Sequence, residues 1–129
     1  MAKVTGIGGV FFKARDPQAI QAWYRERLGI VMEQDHSSAV FHWRHHEEPD
    51  REGMTVWGIF EGETSYFGPG SQPYMINYRV DDLDGLLSQL RDAGVEVAGG
   101  IEEHEYGRFA WILDPEGTRI ELWEPPAGS

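Results

Sequence analysis

The 129-residue chain is long enough to bury a core as one domain or two small coupled modules, and 40% apolar residues with five Trp, five Tyr and six Phe exclude a disordered chain. A formal charge of -11 leaves no basic face for a polyanion, so nucleic-acid binding is excluded. No stretch approaches the roughly 20 apolar residues of a membrane span, and the absence of cysteine removes disulfides, thiolate nucleophiles and Cys-ligated zinc.

The acidity is uneven. Residues 1–64 carry seven basic and ten acidic side chains, and residues 65–129 carry four and twelve. Such a balance tolerates neutral or cationic small ligands and keeps the protein apart from its neighbours. The opening MAKVTG lacks the apolar core of a signal peptide, so a cytoplasmic protein without membrane contact is expected.

Taken in order, Val4 to Ala14 reads as a strand rich in β-branched and aromatic residues. Val10, Phe12 and Ala14 fall on one face, and Gly9, Phe11 and Lys13 on the other. Asp16-Pro17 supplies an N-cap and a proline for the first helical turn. Ile20, Trp23, Tyr24 and Leu28 then recur at helical spacing until Gly29 stops the helix. Strands are predicted near Ile30–Glu33, Ala39–Trp43 and Met54–Phe60, and residues 61–72 read as a Gly- and Pro-broken connection.

The opening pattern then returns. Pro73–Val80 predicts a strand, and Asp82 caps a helix whose Leu83, Leu86, Leu87 and Leu90 share a face, with Gly94 as its stop. Further strands are expected near Val95–Ala98, Tyr106–Leu113 and Thr118–Trp123. Asp16 and Asp82 occupy equivalent places, as do Gly29 and Gly94. The chain therefore reads as two tandem βαβββ modules, about 1–62 and 73–129. The fold class is α+β, a curved mixed sheet with an internal cleft.

The most legible single stretch is Asp114-Pro115-Glu116-Gly117, a type I turn feeding a strand. In that strand Ile120 and Leu122 alternate with Arg119, Glu121 and Trp123. Carrying the first module's helix-facing set onto the second gives Ile76, Tyr78 and Val80. The opposite faces then hold Phe11, Trp57, Met75, Asn77, Glu121 and Trp123, an aromatic lining with a few polar groups that suits a small molecule. Alternation does not decide whether Phe109 and Trp111 share that face.

The segments FFKARDPQAIQAWYRERLG, INYRVDDLDGLLSQLRDAGVEV and GRFAWILDPEGTRIELWEP together resemble the vicinal oxygen chelate superfamily. That superfamily includes glyoxalase I, extradiol dioxygenases, methylmalonyl-CoA epimerase and the bleomycin and fosfomycin resistance proteins. The resemblance implies a homodimer and, in metal-dependent members, one His or Glu ligand on the first and fourth strands of each module. The matching positions here are Gly9, Met75, a residue at or near Trp57, and Glu121. One potential ligand of four remains, whereas catalytic metal sites ordinarily use about three. No cofactor is therefore expected, and a divalent metal is disfavoured.

His36, His42, His45, His46 and His104 offer other donors. On a strand His42 and His46 share a face yet stand roughly 13 Å apart, too far for one ion. For Glu121 three roles stay open: a general base, an acceptor for a ligand's amine or hydroxyl, or an ion-pair partner of Arg79 or Arg119. The expected function is metal-independent binding of an aromatic or cationic small molecule. The alternative is a glyoxalase-like lyase or isomerase acting on a small carbonyl or thioester compound with an unconventional metal set.

Overall fold

A computed structural model describes residues 1–33 and 37–129. Its elements run β1 (Val4–Ala14), α1 (Pro17–Leu28), β2 (Ser38–Arg44), β3 (Glu52–Glu61), β4 (Tyr74–Val80), α2 (Leu83–Asp92), β5 (Glu102–His104), β6 (Gly107–Leu113) and β7 (Arg119–Glu124). They form two compact units. One is Gly9–Tyr74; the other joins Met1–Gly8 to Met75–Ser129. We call these the first and second units.

In the first unit the strand order is β2-β3-β1. β3 runs antiparallel to β2 and parallel to β1. In the second, the order continues from the opening half of β1 through β4-β7-β6-β5. There β7 pairs parallel with β4 and antiparallel with β6, so both units are mixed. The architecture is α+β, with one helix in each unit.

Both helices begin as their sequences dictate. Asp16 Oδ1 accepts the Ala19 N–H at 3.1 Å, and Asp82 Oδ1 accepts that of Gly85 at 3.0 Å. Gly29 closes α1 in the left-handed region (φ 70°), and its N–H donates to the Arg25 carbonyl at 3.1 Å. The turn before β7 also forms: Asp114 Oδ1 accepts the N–H groups of Glu116 and Thr118, both at 2.9 Å.

The core of the second unit lies between α2 and its strands. Leu83, Leu86 and Leu87 pack with Val80, Ala110, Ile112 and Leu122, and Tyr78 and Ile120 extend the cluster. Of these, Tyr78, Val80, Ile120 and Leu122 are the strand residues that alternation assigned to the helix side, and Ala110 and Ile112 on β6 join them. Burying each large aliphatic side chain contributes about 1.5–3 kcal/mol.

Two predicted strands differ from the structure, and one observed strand was not predicted. Ile30–Glu33 forms no ladder; its Glu33 N–H meets the Ser38 carbonyl at 2.6 Å. Val95–Ala98 reduces to one bridge, Val97 with Ile112. Conversely Glu102–His104 pairs with β6 although all three side chains are exposed. A strand whose side chains are all polar, Glu103 pairing with Arg108 at 3.3 Å and His104 meeting the Phe109 ring at 5.6 Å, leaves no apolar alternation to read.

The connection after β3 is anchored rather than loose. Phe67 is fully buried, with its ring 5.1 Å from that of Phe60, and Tyr66 stacks on Phe60 at 5.4 Å.

Candidate functional site

The register of the second unit lines up two rows of side chains across β4, β7 and β6. Asn77 stands beside Glu121, and Glu121 beside Trp111; in the next row Arg79 stands beside Trp123, and Trp123 beside Phe109. Partners in register share a face, so Phe109 and Trp111 join the Glu121 face, which alternation had left open.

The first row is bound together by hydrogen bonds. Asn77 Nδ2 donates to Glu121 Oε1 at 2.6 Å, and Trp111 Nε1 donates to Glu121 Oε2 at 2.9 Å. Both oxygens of a carboxylate only 2% exposed thus accept from uncharged N–H groups, satisfying the demand that buried polar atoms find partners. One atom of the row is an exception: Asn77 Oδ1 is buried without a partner.

The second row is held by stacking. The Arg79 guanidinium lies over the Trp123 ring at 5.1 Å, and Phe109 stacks on Trp123 at 6.1 Å with an interplanar angle of 8°. Trp123 Nε1 donates to the Tyr106 carbonyl at 2.8 Å, and Arg79 Nη2 to that of Ser129 at 2.9 Å. Arg119 lies over Trp111 at 5.3 Å. Met75 is fully buried two residues before Asn77.

Gly8 makes room for both rows. A Cβ there would collide with Asn77 Oδ1, and would stand 2.8 Å from Trp123 Cε3 and 3.0 Å from Arg79 Cγ.

Two expected residues belong to the first unit, and one is misplaced by the sequence reading. Trp57 is paired with Val10 and packs under α1, its ring 5.0 Å from Tyr24 and 5.2 Å from Phe12. A one-residue shift in reading β3 turns the indole to the other face. Opposite Phe11 stands Gly58, not Trp57. Phe11 itself packs edge-on against Phe60 at 5.6 Å and lines a cavity of about 720 Å³. Gln18, Gln21, Ser38, Glu61 and Glu63 also line this cavity. None was singled out from the sequence. The apolar Tyr66-Phe67 pair within the polar connection is the signal that this segment packs.

The donor set does not suit a divalent ion. Of the positions at which the resemblance places ligands, Gly9 and Met75 carry no metal donor of the His or carboxylate type, the neighbours of Trp57 on β3 are Val56 and Gly58, and both Glu121 oxygens accept N–H groups. Among the described residues no three His, Asp or Glu side chains converge; His36 lies outside the described residues. His104 contacts Glu102 at 3.2 Å, exposed at the β5 edge, and His45 packs against Trp43 at 4.9 Å.

Elsewhere on the second unit, Arg108 clasps the start of α2. It donates to both Asp84 carboxylate oxygens, at 2.8 and 3.1 Å, and to Glu124 Oε2 at 3.3 Å. Glu124 Oε1 in turn accepts the Leu83 N–H at 3.0 Å. The Arg108 hydrogen bond holds the Asp84 carboxyl below its ordinary value, and the same bond raises Arg108.

The chain is thus a mixed-sheet α+β protein with a row of buried polar and aromatic side chains on the sheet face opposite the helix of the second unit. The chain belongs to the Glyoxalase/Bleomycin resistance protein/Dioxygenase superfamily, whose family model matches residues 6–122. Among solved structures, Streptomyces coelicolor methylmalonyl-CoA epimerase in complex with 2-nitronate-propionyl-CoA is similar at 17% identity and TM-score 0.69, covering 97% of this chain and 100% of that one. The Mycobacterium tuberculosis methylmalonyl-CoA epimerase shares 24% identity at TM-score 0.56, over 95% and 89% of the two chains. A superfamily member from Vibrio splendidus 12B01 shares 12% at TM-score 0.57, over 96% and 99%. At these identities the likeness is one of fold. Comparison with curated proteins returns no match. No helix among the described residues is long and apolar enough to cross a membrane.

Proposed function

We propose that this protein binds a small molecule without a divalent ion, using the face of the second unit that carries Asn77, Arg79, Trp111, Glu121 and Trp123. The observation that carries the reading is the engagement of both Glu121 oxygens by the Asn77 and Trp111 N–H groups. A carboxylate tied by two neutral donors is a positioned acceptor within a polar row. The residues around it supply an amide and an indole N–H, and neither offers a lone pair to a divalent ion, so Glu121 would stand as a single protein ligand where catalytic metal sites ordinarily use about three. The partly exposed ring of Phe109, stacked on the buried Trp123 indole, supplies flat apolar surface beside that row, and a ring stacked on it is worth about 0.5–1.5 kcal/mol beyond area burial.

The reading includes a homodimer. Its support is the apolar surface left open on the first unit, where Trp23, Leu28 and Phe41 are 50%, 60% and 48% exposed.

Elemental analysis of the purified protein tests the metal-free reading. Zinc, nickel, manganese and iron are expected well below one per chain, and chelator treatment is expected to leave the unfolding midpoint unchanged. A stoichiometric ion whose removal lowers that midpoint overturns the proposal.

A further inference from the structure

We infer that Arg79 forms a carboxylate-binding subsite on this face, and that residues 125–129 act as a strap over it which an acid displaces. The inference rests on the proposed ligand-binding role of the second unit. It adds the class of ligand and the means of access.

Arg79 is 3% exposed on the sheet face away from α2. Burying a guanidinium is costly unless its donors are used, and a planar fork of five donors matches the two oxygens of a carboxylate better than any other common group. In the structure Arg79 Nη2 reaches an oxygen of the 125–129 segment, the Ser129 carbonyl, at 2.9 Å. That segment has no strand pairing, and Pro126, Ala127 and Gly128 are exposed. It bends back through Gly128, in the left-handed region at φ 86°, and the Ser129 N–H donates to the Pro126 carbonyl at 3.1 Å. A segment that buries so little has little to lose by lifting.

The neighbouring residue on the same face, Asn77, is 2% exposed, and its Oδ1 has no hydrogen-bond partner. Its orientation is fixed, because Nδ2 is committed to Glu121. A buried acceptor left open beside a buried guanidinium calls for a ligand that brings one anion and one O–H or N–H donor. Trp123 and Phe109 lie alongside as stacked rings. The fitting class is a small aromatic monocarboxylate bearing a hydroxyl group.

The test uses 4-hydroxybenzoate and its uncharged counterpart 4-hydroxybenzamide, titrated into the chelator-treated 129-residue chain. Isothermal calorimetry reads affinity, and amide spectra follow the Ser129 N–H and the Trp123 indole N–H. The acid is expected to bind about tenfold more tightly than the amide, the scale of one charge-assisted hydrogen bond. It should also shift the Ser129 signal. A chain ending at Glu124 should bind the acid about tenfold more tightly still, since the site no longer shares its time with the strap. Arg79→Gln should abolish the preference for the acid; if that variant fails to fold, the shortened chain with Arg79 intact decides. Equal affinity for acid and amide, or unchanged affinity for the acid in the shortened chain, overturns the inference. Because the protein is metal-stripped, neither result depends on the outcome of the elemental analysis.

Discussion

The two helices start from the same capping plan and reach different packing. In the second unit α2 sets Leu83, Leu86 and Leu87 into a core of Val80, Ala110, Ile112 and Leu122. In the first, α1 buries no side chain fully, and its contact with the sheet runs through the rings of Tyr24, Phe12 and Trp57. Cavities of about 720 and 260 Å³ adjoin α1. Interdigitated leucines fill volume, whereas rings meeting edge to face leave gaps between their planes. One helix thus fixes the sheet that carries the buried polar row, and the other covers its sheet loosely.

Truncation should expose that difference most strongly. Leu87→Ala is expected to cost about 3 kcal/mol in urea unfolding, within the range for fully buried leucines, and Ile20→Ala about 1 kcal/mol. Equal losses would erase the contrast between the two helices.

A smaller effect is expected where the polar row is tightly backed. Gly8→Ala places a methyl group against Asn77, Trp123 and Arg79, and overpacking of this kind costs about 2 kcal/mol. Gly9→Ala meets chiefly the Phe11 ring, with Cζ at 2.8 Å, and the Val56 carbonyl at 3.2 Å. In the looser first unit Phe11 has room to move, so the loss should be smaller. Thermal melts of the two variants check the ranking, and a larger drop for Gly9→Ala would reverse it.

The smallest effect concerns acid. Because Arg108 depresses the Asp84 carboxyl below its ordinary 3.8, the clasp contributes stability above that value. The contribution is lost as pH falls through the lower folded value. Asp84 is exposed and Arg108 is half-buried, so the effect is modest and screened by salt. Asp84→Asn should lower the melting temperature slightly at pH 7 and show a shallower decline between pH 4 and pH 2 than the parent. Parallel declines would mean that the clasp plays no part in acid sensitivity.

Much of this plan was legible because it depends on near neighbours in the chain. Asp16 and Asp82 cap their helices, Gly29 and Gly94 follow them, and Asp114 closes its turn, all through bonds spanning a few residues. Alternation likewise assigned Val80, Ile120 and Leu122 to the helix side and Asn77, Arg79, Glu121 and Trp123 to the other, since the period of a strand is a local property. What failed was register. Trp57 went to the wrong face because one residue of slip inverts a strand, and only pairing with β1 fixes the count.

The amino-acid order by itself determined the capped helices, the Asp114 turn and the face on which Glu121 stands. Tertiary structure alone decided that Asn77 and Trp111, 34 residues apart in sequence, meet on the two oxygens of that carboxylate. It also placed Ser129 on Arg79. Hydrogen bonds between distant strands require a register and an approach distance, and neither is written in the composition or the period of any one segment.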